Sequence, residues 1–170
     1  MLDHFIMFAA YNRWANQRLF DAARQLTDEQ YKANCEVAFE SMQGTLNHIL
    51  VGDTAWMSRF QQVPNEIKSL DALLFPDFNG LWAARQDMDT RIIDYVDGLN
   101  QSILDANFTY TTVVQPQQVT LKLAPALAHL FNHQTHHRGQ AHAILTRLTG
   151  EAPPLDLIYY LLDTKTAKVS

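Results

Sequence analysis

Cysteine is almost missing from this sequence, and its absence limits what the chain can build. Only one of the 170 residues is a cysteine. Cys35 therefore cannot form a disulfide within the chain, and neither a disulfide scaffold nor a cysteine-rich zinc site is available. We expect a protein of a reducing compartment, large enough to fold around an ordinary hydrophobic core.

Basic runs and long apolar runs are missing as well. The net charge is −5, with no cluster of lysine or arginine, which argues against binding to nucleic acid or to anionic lipid. No stretch approaches the roughly 18 apolar residues that would span a bilayer. The start, Met1 to His4, lacks the basic and apolar regions of a secretion signal. We expect a cytoplasmic protein with no nucleic-acid or membrane partner.

The common catalytic signatures are also absent. The sequence contains no glycine-rich phosphate loop, no nucleophile elbow and no His-Glu-x-x-His string. What it does contain is a concentration of histidine, because five of the seven histidines lie between Leu127 and His142. This stretch is where a functional site is most strongly indicated.

The histidines of this stretch are not equivalent if it forms a helix. Each residue turns the helix by roughly 100°. Measured from Leu127, the large apolar side chains fall in a sector from roughly 260° through zero to roughly 40°. His137, at roughly 280°, lies inside that sector, and His133, at roughly 240°, lies at its edge. His129, at roughly 200°, and His136, at roughly 180°, lie on the other side.

His133 and His137 are four residues apart and face inward, which lets two imidazoles reach one divalent ion. The pattern also fits two buried histidines with a structural role. Two histidines do not complete a tetrahedral site, so a third ligand would have to come from elsewhere. One candidate is His48, although periodicity alone equally allows it to face solvent.

His48 belongs to a line of mostly small residues on a second predicted helix. This small-residue stripe consists of Ser41, Thr45, His48, Gly52, Ala55 and Arg59. Such a surface allows a neighbouring backbone to approach closely.

Apolar spacing and capping residues predict four long helices. They run from about Asp3 to Gln25, from the N-cap Ser41 to Phe60, from the N-cap Asp77 to about Gly98, and from between Leu121 and Pro125 to Gly150. Shorter features are a capping box at Thr27–Gln30, an irregular segment from Tyr31 to Phe39, a β-ribbon between Phe108 and Leu123, a helix at Leu155–Leu162 and a loose tail to Ser170.

These elements predict an all-α fold, a four-helix bundle with a short β-ribbon before the last long helix, in one domain spanning residues 1–170. Arg85 and Asp89, four residues apart on the third long helix, are predicted to form a surface ion pair of little energetic importance.

Several segments together resemble the DinB/YfiT-like family of metalloenzymes. They are Tyr11–Asn16, Leu46–His48 with Asp53 and Trp56, Asn132–Gln140, and Pro154–Ile158. The resemblance covers nearly the whole chain, and the Asn-His-x-x-x-His-Arg-Gly-Gln segment is its most specific part.

The resemblance implies a four-helix bundle that binds a divalent ion, zinc or nickel. One ligand comes from the second long helix and two come from the last, which here are His48, His133 and His137. This agrees with the angular choice of His133 and His137, and it supplies His48, which periodicity left open. Three neutral protein ligands leave a coordination position for water or substrate, as in catalytic zinc sites.

The resemblance further implies a metal-dependent enzyme with thiol S-transferase-like or hydrolase-like chemistry. Its partners would be a small-molecule substrate and a low-molecular-weight thiol, and the chain would form a homodimer. Asp53 and Arg138 are candidates for a catalytic role. His129, His136 and Gln140 are candidates for orienting ligands. The alternative is a bundle that binds a metal or a stress-related ligand without turnover.

Overall fold

Seven helices and two strands form within residues 1–113 and 115–167, which the computed structural model describes. The elements are α1 (Leu2–Ala23), α2 (Asp28–Lys32), α3 (Met42–Phe60), α4 (Phe78–Asp97), α5 (Gln101–Leu104), β1 (Asn107–Thr111), β2 (Gln118–Lys122), α6 (Leu123–Thr149) and α7 (Leu157–Asp163). Val114, predicted as part of the ribbon, and the end of the predicted loose tail, residues 168–170, lie outside the described residues.

The four long helices pack in a closed ring. Helix α1 contacts α4 and α6, and α3 contacts the same two helices from the opposite side. The apolar faces meet in the centre, where side chains such as Leu19, Leu46, Leu81 and Leu127 are fully buried. The predicted four-helix bundle is confirmed. No helix in the two described ranges combines the length and the apolar character needed to cross a membrane.

Local sequence signals explain where the helices begin and end. The side chains of Ser41 and Asp77 each accept a hydrogen bond from the amide three residues on, as N-caps do. Thr27 and Gln30 form the predicted capping box, although α2 continues through Tyr31, which we had assigned to an irregular segment. Gly150 ends α6 in the left-handed conformation, with φ of 85°.

Two sequence signals disagree about where α6 begins, because Leu123 on the apolar face favours an early start and Pro125 favours a late one. The helix begins at Leu123, so this apolar residue is buried on the core face. Pro125 is then the third helical residue. It needs no distortion there, because amides of the first turn have no acceptor within the helix.

The predicted β-ribbon is also confirmed, as an antiparallel pair whose register runs from Asn107 opposite Lys122 to Thr111 opposite Gln118. Phe108 anchors it in the core, and Tyr110 lies against Trp56 of α3, with ring centroids 5.1 Å apart. A two-stranded ribbon is not stable alone, so these contacts hold it on the bundle.

The prediction for Arg85 and Asp89 was wrong. Arg85 is fully buried and Asp89 is 3% exposed. Nη2 of Arg85 lies 2.9 Å from Asp89, and Nη1 lies 2.5 Å from Asp53 on α3. The spacing of four residues was correct, but it did not show that this face of α4 points into the bundle opposite a second carboxylate.

These side chains belong to a hydrogen-bonded ring that joins all four long helices. Asn16 of α1 donates to Asp89, and Gln134 of α6 donates to Asp53. Arg138 of α6 closes the ring. We call this the charged network, and its members are Asn12, Asn16, Asp53, Arg85, Asp89, Gln134 and Arg138. Its two carboxylates balance its two guanidinium groups, which makes burial of the charges tolerable.

Candidate metal centre

Three histidines from two helices converge near the middle of the bundle. His48 comes from α3, and His133 and His137 come from consecutive turns of α6. One nitrogen from each ring can be chosen so that all three lie within 4.8 Å of one another. His48 and His137 are buried and His133 is half-buried, so the solvent-facing orientation that periodicity allowed for His48 does not occur.

Two contacts fix the orientation of His48. Its Nδ1–H donates to the backbone carbonyl of Leu70 over 2.6 Å, and Phe39 stacks on the ring with centroids 3.7 Å apart. A carbonyl oxygen only accepts hydrogen bonds, so the ring proton must be on Nδ1. Nε2 of His48 therefore carries a lone pair, and it points at the other histidines.

His137 is held in the same tautomer by a side chain one turn further along α6. Its Nδ1–H donates to Oε1 of Gln140 over 2.8 Å, and the amide group of Gln140 donates to Nε2 of His136 over 3.2 Å. In this tautomer Nε2 of His137 also carries a lone pair. Hydrogen bonds of this kind orient the ligands of metal sites and raise their basicity.

The two lone pairs face each other. Nε2 of His48 and Nε2 of His137 are 3.1 Å apart, and with both ring protons on Nδ1 neither nitrogen has a hydrogen to donate. With the protons placed in this way, a cation between the two nitrogens makes the contact favourable. Two nitrogens bound tetrahedrally to one zinc ion are about 3.3 Å apart, so the observed separation fits a shared metal ion.

His133 completes the donor set and depends on a glycine. Its Nδ1 is buried and makes no hydrogen bond within the described residues. The ring lies directly over Gly52 of α3, where an added Cβ would be 2.5 Å from Cε1 of His133. Only glycine leaves room for the imidazole at this position.

Burial keeps all three rings neutral. Burial, together with the nearby His137 and His48, lowers the pKa of His133 to about 3. Burial also lowers the pKa of His137 to about 4, although the hydrogen bond with Gln140 raises that pKa. Burial also lowers the pKa of His48. Neutral imidazole is the form that binds metal, so at neutral pH the three histidines could hold a metal ion.

Comparison with known protein families gives a match over almost the whole chain. The model of the DinB family matches residues 1–167. The chain belongs to the DinB family. It is similar to Protein DinB of Bacillus subtilis (strain 168), with 25% identity over 179 residues that cover 99% of each chain.

In this DinB-family chain the histidine cluster opens onto a cavity of about 470 Å³. His48 and His133 form one end of it, and α3 contributes Gly52, Ala55, Trp56 and Arg59 to its wall. The remaining lining residues are Leu70, Thr112, Val113, Gln115, Gln117 and His129. The volume suits a small-molecule ligand.

The remaining predicted site residues divide between the cavity and the bundle interior. His129 lines the cavity and contacts Trp56. His136 packs edge-on against His137, with ring centroids 4.7 Å apart, and also contacts Gln140. Asp53 and Arg138 lie in the charged network, and neither lines this cavity. Burial raises the pKa of Asp53 to about 6, although Arg85 beside it opposes that change.

The sequence did not predict two residues that contact His48 in this DinB-family site. Phe39 and Leu70 both lie outside regular elements, and both contact His48. Leu70 contributes only its backbone carbonyl, which any residue possesses, so no residue-type signal marks it. Phe39 stands just before the cap of α3, and an aromatic residue at that place was the one available clue.

Proposed function

We propose that this protein is a metal-dependent enzyme with a zinc or nickel ion bound by His48, His133 and His137, and that it carries out thiol S-transferase-like chemistry. The observation that supports this most directly is the convergence of one nitrogen from each of the three rings within 4.8 Å, with Nε2 of His48 and Nε2 of His137 3.1 Å apart. The buried Nδ1 of His133, which makes no hydrogen bond with any described residue, adds a third nitrogen without a partner among them.

The surroundings favour turnover over a structural metal site. Structural zinc sites are closed by four protein ligands, whereas three ligands leave a position for water or substrate. Here His48 and His133 line the cavity, so a ligand bound in it would lie beside two of the three histidines. A divalent ion held there would supply Lewis acidity, lowering the pKa of a thiol or water molecule that reaches it.

The residues of the chain orient the ligands and provide the binding cavity. Leu70 and Gln140 hold their rings in the metal-binding tautomer. Asp53 joins α3 to α6 by accepting a hydrogen bond from Gln134, and Arg138 donates to the same Gln134 side chain. We therefore assign Asp53 and Arg138 a positioning role, and the reacting groups would be the small-molecule substrate and a low-molecular-weight thiol.

Metal content is the first test. Wild type and the variants His48→Ala, His133→Ala and His137→Ala would be loaded with Zn²⁺ or Ni²⁺, dialysed and measured by mass spectrometry. We expect one ion per chain in wild type and a loss of at least tenfold in affinity in each variant. His142→Ala, on the same helix but outside the cluster, is the matched control. Full metal retention in all three variants would remove the proposed site.

Turnover is the second test, and it separates an enzyme from a non-catalytic binder. Monochlorobimane would be offered with a panel of low-molecular-weight thiols. In this reaction the sulfur–carbon bond forms, the carbon–chlorine bond breaks, chloride leaves and the thiol proton passes to solvent. We expect activity that chelation abolishes and added metal restores. Stoichiometric metal without turnover of any thiol, or of an ester substrate, would favour the binding protein.

A further inference from the structure

Arg59 lies in the wall of the same cavity, where two aromatic rings hold its guanidinium group. The guanidinium carbon is 4.6 Å from the centroid of Trp56 and 4.6 Å from that of Tyr110. Cation–π contacts of this kind fix the plane of the group. Its Nε is nevertheless buried and makes no hydrogen bond with any described residue.

Within the part of the chain that the structure describes, no acidic side chain balances this charge. Among residues 1–113 and 115–167, no carboxylate forms an ion pair with Arg59. The twelve cavity-lining residues include no aspartate and no glutamate. The cavity is thus positively charged in a chain whose net charge is −5. A half-buried cation without a partner is costly, and burial lowers the pKa of Arg59 accordingly.

The positions of Arg59 and the histidines determine the shape of an occupant. His48 and Arg59 lie on the small-residue stripe of α3, eleven residues or about 16 Å of helix axis apart. Side chains tilt toward the N-terminus of a helix, so Arg59 leans back toward His48. Gly52 and Ala55, between them, leave the floor of the cavity open. A molecule that reaches both ends must be elongated.

We propose that this cavity binds an elongated small molecule through a terminal oxyanion, a carboxylate or a phosphate, that Arg59 holds. The flat guanidinium fork matches either group in a two-pronged contact. Trp56 and Tyr110 restrict the guanidinium before the ligand arrives, which lowers the entropy cost of binding. The proposal rests on the proposed function only for the other end of the ligand, which would lie beside His48 and His133.

The experiment compares two probes that differ only in charge. Calorimetry would measure binding of ω-mercaptohexanoate and ω-mercaptohexanol to the zinc-loaded protein. We expect wild type to bind the carboxylate at least tenfold more tightly, and Arg59→Gln to bind both probes alike. Arg13→Gln, which removes an exposed arginine of α1, should keep the preference. A preference that is absent in wild type or unchanged in Arg59→Gln would overturn the proposal.

A second arm needs neither metal nor thiol. The metal-free protein would be titrated with hexanoate, hexyl phosphate and hexanol, while the Arg59 Nε–H resonance is followed by NMR. Binding of either anion that moves this resonance and is lost in Arg59→Gln supports the oxyanion site even if metal loading fails. The stronger of the two anions identifies the headgroup. If all three bind equally, the proposal is wrong.

A third variant guards against loss of folding. If Arg59→Gln does not fold, Arg59→Lys can replace it in the experiment. This variant keeps the positive charge but lacks the planar guanidinium group that makes two parallel hydrogen bonds. We expect its preference for the carboxylate to fall several-fold below that of wild type. An unchanged preference in Arg59→Lys would contradict the two-pronged contact.

Discussion

Gly52, which has no side chain, leaves the space that the imidazole of His133 needs beside the other two histidines. Gly52 lies in the interior of α3, where glycine is less favourable than alanine by roughly 0.5–1 kcal/mol. The imidazole of His133 occupies the space that a Cβ would need. Glycine at this position thus costs the helix some local stability, and it makes room for one ring of the candidate metal centre.

We predict that Gly52→Ala weakens metal binding without unfolding the protein. The new methyl group would meet Cε1 of His133 at 2.5 Å, so the ring must move away from His48 and His137. We expect a decrease in metal affinity of about 10- to 100-fold, measured by competition with a coloured chelator.

Gly139→Ala is the matched control, because a Cβ at this position of α6 meets nothing within 4 Å. It should leave metal affinity unchanged and raise the free energy of unfolding by about 0.5 kcal/mol or more. Equal metal affinity in Gly52→Ala and wild type would show that His133 does not bind the ion from its position above Gly52.

For single residues, the sequence predicts the helix face on which a side chain lies better than it predicts the residues that the side chain contacts. The angles around α6 correctly separate His133 and His137 from His129 and His136, because rotation about a helix depends only on residue number. They do not orient His48, whose environment is set by Leu70 and Phe39 from a segment without periodicity. Arg59 appears in the small-residue stripe, but only the fold brings Tyr110 against it.

Helices α1, α3, α4 and α6 are tied together by the charged network as well as by apolar packing. Each of its charged groups has partners on another helix, so removal of one member leaves an unbalanced charge in the interior. Burying an ion pair gains little over apolar packing, but breaking one is expensive. We therefore expect the charged network to specify the arrangement of the four helices more than it adds to the stability of the fold.

We predict that Asp53→Asn lowers the free energy of unfolding by about 3 kcal/mol or more, because Arg85 loses one of its two buried carboxylate partners. Urea denaturation would measure the change. Asp87→Asn, an exposed position on α4, should stay within about 0.5 kcal/mol of wild type. Equal losses in the two variants would mean that the buried pair has no special role.

The elements themselves were largely predictable, for reasons that are local. Caps at Ser41 and Asp77 and the left-handed Gly150 act within a few residues, so the sequence contains the whole signal. The pairing of Arg85 with Asp53 joins positions 32 residues apart. Periodicity places each of these residues on a helix face, but it does not say which faces meet.

For the whole molecule, the neutral histidines make stability depend on pH. His133 and His137 have pKa values of about 3 and 4 in the folded protein, against about 6.5 in the unfolded chain. As pH falls below 6.5, the unfolded chain binds more protons than the folded one. Their contribution to stability is therefore fully present above about pH 6.5 and is lost as pH falls toward the folded values.

We predict that the metal-free protein loses stability between about pH 7 and 5, by up to about 1.4 kcal/mol per pH unit for each histidine. Urea denaturation at a series of pH values would measure it. The double variant His133→Gln, His137→Gln should show a shallower dependence over the same window. An equally steep dependence in that variant would assign the effect to other groups.

Association with a second copy stays a prediction, as does a cytoplasmic location. Phe5, Phe8 and Phe131 of α1 and α6 line an apolar groove of about 620 Å³ on the outside of the bundle. Light scattering would decide whether the chain is a homodimer.

The separation of His48 and His137 along the chain has a consequence for biosynthesis. The two residues are 89 positions apart, so a ribosome must deliver both α3 and a large part of α6 before the last imidazole emerges. A nascent chain that ends before His137 could offer a cation at most two of the three histidines. Capture of the ion by all three histidines would accordingly have to follow the synthesis of α6.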